Sequence, residues 1–93
     1  MTAKRELTVH HKVGLHARPA AMFVKTAMGF SCQIHVTNLS KGTDPVDGKS
    51  ILGILASCVN QDDRIQITAE GEGDDEALTA LCDLIERNFD EVV

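Results

Sequence analysis

The apolar residues of this chain change their spacing repeatedly between every second residue and every third or fourth, and that switching restricts the fold more than any other feature. Around Glu6 to His10, Leu7 and Val9 alternate with polar neighbours, the pattern of a half-buried strand. Gly14 breaks the alternation. After Pro19, Ala20, Ala21, Phe23, Val24 and Ala27 recur at helical spacing, which predicts a helix to about Met28 with Gly29 as its stop. Alternation returns from Cys32 to Thr37, where Cys32, Ile34 and Val36 share a face.

Asn38 to Gly48 is rich in Ser, Gly, Asp and Pro and reads as a long turn with room for a short strand near Val46. Ser50 opens a short apolar helix through Ile51, Leu52, Ile54 and Leu55, and Asn60 to Asp63 is another turn. Arg64 to Ala69 alternates again, with Ile65, Ile67 and Ala69 inward. Asp74, Asp75 and Glu76 load the first turn of a last helix, where the dipole favours carboxylates. Leu78, Leu81, Cys82, Ile85, Phe89 and Val92 form its apolar stripe. The order is β-α-β-β-α-β-α. It predicts an α+β fold, a two-layer open-faced sandwich whose four-stranded antiparallel sheet is covered on one face by three helices.

Ninety-three residues suit a single domain over 1–93. With 43% hydrophobic and 25% charged residues, the chain has the means to bury a core. A net charge of -5 argues against nucleic acid as a partner, since counterion release needs clustered cations. Cys32, Cys58 and Cys82 are odd in number and lack a C-x-x-C pair, so they are expected to be reduced, apolar-packing thiols. No apolar run approaches a membrane span, and the polar start leads straight into strand pattern, so a cytoplasmic protein without membrane insertion is expected.

Gly14-Leu15-His16-Ala17-Arg18-Pro19-Ala20 holds the chemistry. Proline favours the first turn of a helix, where amides have no intrahelical acceptor, so Pro19 puts a helix start within a residue or three of His16. Unpaired N–H groups near Ala17 and Arg18 then face the imidazole, and such a helix opening binds phosphate readily. Arg18 adds a guanidinium able to grip phosphate oxygens through two parallel bonds. Gly14 allows the sharp turn that joins strand to helix. A histidine at a turn is usually only a surface residue; it is the whole seven-residue string that favours a phosphate acceptor.

That string resembles the active-site motif of HPr, the histidine-containing phosphocarrier family of the phosphoenolpyruvate-dependent sugar phosphotransferase system. Gly48-Lys49-Ser50-Ile51-Leu52-Gly53-Ile54-Leu55 resembles the family's regulatory serine segment, and the likeness extends from about Glu6 to Glu91. The resemblance implies that His16 takes a phosphoryl group on Nδ1 from phosphorylated enzyme I and passes it to the A domain of a sugar-specific enzyme II. Arg18 then steadies the phosphate, and Ala17 contributes backbone alone, so that its identity matters little. No cofactor or metal is implied. The resemblance implies a relay intermediate rather than an enzyme, and nothing in the sequence demands more than a monomer.

The same resemblance makes Ser50 a regulatory phosphoserine, the target of an HPr serine kinase/phosphorylase whose product binds a transcriptional regulator. Ser50 also suits a helix N-cap, and the two roles are compatible. An apolar docking surface is expected from Ile51, Leu52 and Leu55 with Ala20 and Phe23, rimmed by Arg18, Lys25 and Lys49. Ordinary packing is expected to claim Ile54 and at least one other of these helix residues. The stretch between Val36 and Ser50 is about three residues longer than usual in the family, an enlarged hairpin end around Ser40 to Pro45.

His10 and His11 would point to opposite faces of a strand and so chelate a metal poorly together. His35 falls on the polar phase of its strand. A nitrogen-branch relative, or a purely regulatory module that docks through Ile51 and Leu52, is the competing reading.

Overall fold

The computed structural model describes residues 2–91. Four strands, β1 (Thr2–Thr8), β2 (Gln33–Asn38), β3 (Val46–Asp47) and β4 (Arg64–Glu70), form one antiparallel sheet in the order β1-β4-β2-β3. Helices α1 (Ala17–Met28), α2 (Ile51–Ala56) and α3 (Asp74–Glu86) complete the described regular structure, with a 3-10 turn at Asn88–Asp90. The architecture is the α+β open-faced sandwich read from the sequence.

Register explains why the sheet has one apolar face. Ile34 and Val36 of β2 stand opposite Ala69 and Ile67 of β4, and all four are buried. Their neighbours Gln33, His35 and Thr37 alternate to the outer face, as strand geometry requires. Phe23, Ala20 and Ala27 of α1 meet Leu78, Leu81, Cys82 and Ile85 of α3 in a common core with the sheet residues. Ile54 brings α2 into the same core.

Boundaries moved where pairing outweighed local pattern. The first strand is Thr2–Thr8, not Glu6–His10, because β4 offers partners from Glu70 back to Arg64 and the polar Thr2, Lys4, Arg5 and Glu6 need only backbone to join. Val9 is buried beyond the strand end, with its N–H on the Asp63 carbonyl (2.9 Å) and its carbonyl receiving Asp62 N–H (2.7 Å). The last helix stops at Glu86 rather than continuing with the stripe. Asn88, Phe89 and Asp90 all have left-handed φ (56°, 56° and 59°), and this turn still buries Phe89. Val92 lies outside the described residues.

Cys32 and Cys82 are buried as expected, but Cys58 is exposed. It occupies a left-handed position (φ 53°) just past α2, where the chain turns toward Val59, and its side chain points away from the core. Burial pushes the Cys82 thiol above its ordinary value, consistent with an inert packing group.

Gly14 has the least room of the described glycines. It has φ +65°, and a Cβ there would lie 2.1 Å from the Val59 carbonyl oxygen and 2.7 Å from Asn60 Cα. Next to it, Leu15 N–H donates to that same Val59 carbonyl (2.9 Å), with both side chains fully buried. Gly14→Ala is therefore expected to destabilise the protein by upwards of about 1 kcal/mol, through backbone strain added to collision. Urea unfolding measures it, and a midpoint equal to that of the unsubstituted chain would contradict this account of the crossing.

Candidate functional site

His16 is the N-cap of α1, in extended conformation (φ -125°, ψ 169°), with a partly exposed ring. Its carbonyl receives the first helical bond, from Ala20 N–H at 3.4 Å. Pro19 has no N–H, and the Ala17 and Arg18 amides precede that first bond. The helix therefore opens at His16, with the Ala17 and Arg18 N–H groups ahead of its first backbone bond.

Ala17 departs from the expectation that its identity is immaterial. Its φ is 51°, in the left-handed region, at the first helical position. A non-glycine residue there costs roughly 1–2 kcal/mol, and a β-branched side chain would cost more. The reversal lets an extended His16 abut a helix without an intervening loop. The side chain at this position thus matters through what φ it tolerates.

Arg18 is 68% exposed and has its guanidinium Nε 4.0 Å from Glu91 Oε1. Glu91 in turn receives a hydrogen bond from His11 Nε2. His11 is a residue that the sequence pattern set on a strand; it sits instead in the turn after β1 and is 2% exposed. Its Nδ1 accepts from Val13 N–H (3.2 Å), so the ring proton lies on Nε2, facing the Glu91 carboxylate. Phe89 packs against its ring edge-on, centroids 5.9 Å apart. Glu91 is thereby held as the resting counter-ion of Arg18. No local signal in the sequence pointed to it, because it lies 73 residues from Arg18. His10, by contrast, is exposed and pairs with Asp62 (3.2 Å).

Asn60 is a second residue that the motif reading missed. Its Oδ1 lies 3.1 Å from His16 Nε2. The turn that contains Asn60 is tied by Asp63, whose Oδ2 accepts Asn60 N–H (2.9 Å), Asn38 Nδ2 (3.2 Å) and the Lys41 ammonium. Asn38 is fully buried and also donates to the Ser57 carbonyl (3.0 Å) while its Oδ1 receives Lys41 N–H (3.1 Å). Lys41 belongs to the stretch between β2 and β3.

The expected docking surface is corrected in part. Ala20 and Phe23 are wholly buried, because α1 turns them onto the sheet and α3. Lys49 is half-buried, with its ammonium donating to the Phe30 carbonyl (2.6 Å), so it is not a free rim cation. Lys25 is exposed. On α2, Leu52 is 76% exposed and Ile51 and Leu55 exceed one third; packing claims Ile54 alone, since one turn and a half presents a single face inward. Ser50 caps α2, its Oγ accepting Gly53 N–H at 3.1 Å.

The family model for the PTS HPr component phosphorylation site matches residues 3–87. The chain belongs to the HPr family. The phosphocarrier protein HPr of Pseudomonas aeruginosa is 43% identical over 89 residues, covering 92% of this chain and 93% of its own. The multiphosphoryl transfer protein of Salmonella typhimurium is 38% identical over 86 residues, covering 92% of this chain but 23% of that longer protein. A crystal structure of HPr-C-His from Thermoanaerobacter tengcongensis superposes with a TM-score of 0.92 at 43% identity, over 98% of this chain and 99% of that one. The HPr fold and the phosphocarrier family are thus common ground between sequence and structure.

The hydrogen bond from Asn60 N–H, with those from the Lys41 ammonium and Asn38, holds the Asp63 carboxyl below the usual carboxylate range. A folded-state value below the unfolded one gives stability that is complete at neutral pH and is lost as pH falls through the depressed value. Asp63→Asn is accordingly expected to flatten the acid side of the stability profile below about pH 5 while lowering stability at pH 7. Denaturation midpoints for both proteins across that range measure the effect; parallel profiles would remove Asp63 from the acid response.

Proposed function

We propose that this protein accepts a phosphoryl group on His16 from phosphorylated enzyme I and passes it to the A domain of a sugar-specific enzyme II. The observation that carries the reading is a partly exposed imidazole capping α1 beside the Ala17 and Arg18 amides, in a chain of the HPr family. Unprotonated imidazole offers a lone pair to phosphorus. As the new P–N bond forms, the donor's bond to phosphorus breaks and the donor keeps that electron pair. The helix opening stabilises the oxygens, and Arg18 exchanges Glu91 for phosphate. The second transfer reverses the order. The protein is regenerated each cycle and acts as an intermediate, not a catalyst.

A 1–93 domain acting as a cytoplasmic monomer suits this relay; among the described residues, no helix is long and apolar enough to cross a membrane. Ile51, Leu52 and Leu55 supply an exposed apolar patch for successive partners, and Lys25 is an exposed cation of α1. The name multiphosphoryl transfer protein, borne by a relative in which an HPr-like part spans under a quarter of the chain, is in keeping with partner domains of the same system.

Ser50 is the proposed regulatory phosphorylation site, for a serine kinase/phosphorylase and a transcriptional regulator. Its support is the family likeness and its place beside the exposed Ile51 and Leu52. A phosphate there would change the charge of the docking surface and displace the cap bond to Gly53.

Labelled phosphoenolpyruvate and enzyme I are expected to put an acid- and hydroxylamine-labile phosphate on the protein. His16→Ala is expected to take no label and to keep its far-ultraviolet circular dichroism. Label retained by that variant would refute the site.

A further inference from the structure

An imidazole has two nitrogens, and a neutral ring protonates only one of them. The protonated nitrogen is a donor and the other keeps its lone pair. Whichever nitrogen faces a fixed acceptor holds the proton. In this protein His16 Nε2 faces Asn60 Oδ1 at 3.1 Å. A carbonyl oxygen can only accept, so this contact calls for Nε2–H and leaves the lone pair on Nδ1.

The acceptor is held from behind. Asn60 N–H is bound by Asp63, and Asp63 is bound by Asn38 and Lys41. Asn38 is fully buried and anchors four groups, the Ser57 and Cys58 carbonyls, the Asp63 carboxylate and the Lys41 amide. Ser40 adds a further tie, its Oγ accepting Arg64 N–H at 2.8 Å. The stretch after β2 therefore closes on the turn that presents Asn60. Val59, the residue before Asn60, is bonded to Leu15, the residue before His16. The two side chains are thus brought together by backbone on both sides.

We propose that Asn60, braced by Asp63 and the Asn38–Lys41 segment, is a positioning residue that fixes His16 as the Nε2–H tautomer and presents Nδ1 as the nucleophile. The proposal deepens the carrier reading and rests on it for the meaning of the free nitrogen. The tautomer itself is a property of the unphosphorylated protein. A hydrogen bond of ordinary net strength biases the tautomer ratio about two- to ten-fold.

The test is imidazole 15N NMR on the full chain, at a pH where the His16 ring is neutral, for the unsubstituted protein, Asn60→Ala and Asn60→Asp. Expected are a pyrrole-type Nε2 and a pyridine-type Nδ1 in the unsubstituted protein. Both shifts should move toward each other in Asn60→Ala, and the original pattern should return in Asn60→Asp, which keeps an acceptor in place. Phosphoryl uptake from phosphoenolpyruvate and enzyme I is expected to fall in Asn60→Ala in proportion to the Nε2–H fraction that the NMR gives, a slowing of up to about two-fold. A proton found on Nδ1, shifts that ignore Asn60→Ala, or unslowed uptake from a mixed ring each overturn the proposal. If no form takes up phosphate, the carrier reading fails while the NMR result still decides the tautomer.

Discussion

The site depends on one backbone crossing, where Gly14 and Leu15 lie against Val59 and Asn60. The Leu15 to Val59 hydrogen bond is made in a fully apolar setting, with both side chains buried, so its loss would leave an orphaned donor and acceptor as well as a cavity. Only a residue without Cβ lets the strands of chain approach this closely. Everything that follows in each direction is placed by that contact. One side leads to His16 at the head of α1, the other to Asn60 and the Asp63 network.

Around this crossing the protein solves an electrostatic problem. In the proposed carrier role, a chain of net charge -5 receives a doubly charged group at its surface. The positive potential comes from oriented backbone at the start of α1 and from one guanidinium. In the unphosphorylated form Glu91 neutralises that guanidinium, and His11 and Phe89 fix where Glu91 can stand. The counter-ion is near enough to hold Arg18 yet, at 4.0 Å and largely in water, weak enough to yield it. Ala17 contributes differently, through a backbone conformation that is unfavourable for alanine and is maintained by the fixed points on either side.

Much of the architecture was legible because it follows from short-range periodicity. Ile34 and Val36, or Ile65, Ile67 and Ala69, can share a buried face only as strands, and the stripe from Leu78 to Ile85 only as a helix. Reading failed where a partner, not a pattern, decided. Thr2 to Glu6 joins the sheet by backbone pairing that its polar side chains conceal. Phe89 continues the helical phase of Ile85 yet reaches the core through a left-handed turn. Phe23, expected on the docking surface, lies in the core where α1 packs on the sheet and α3.

The sequence by itself determined the strand and helix order, the placement of a histidine at a helix opening, and the cap at Ser50, since each needs only residues within a few positions of one another. The tertiary structure alone decided what surrounds those groups: Asn60 on His16, Glu91 on Arg18, Phe30 on Lys49, and Asn38 as a buried polar node. Apart from the Lys41 amide on Asn38, these contacts join residues 19 to 73 positions apart. Their existence depends on how the layers close over the core, and the energy that closes them is the non-directional burial of apolar area, which leaves no pairwise mark on the polar residues it brings together.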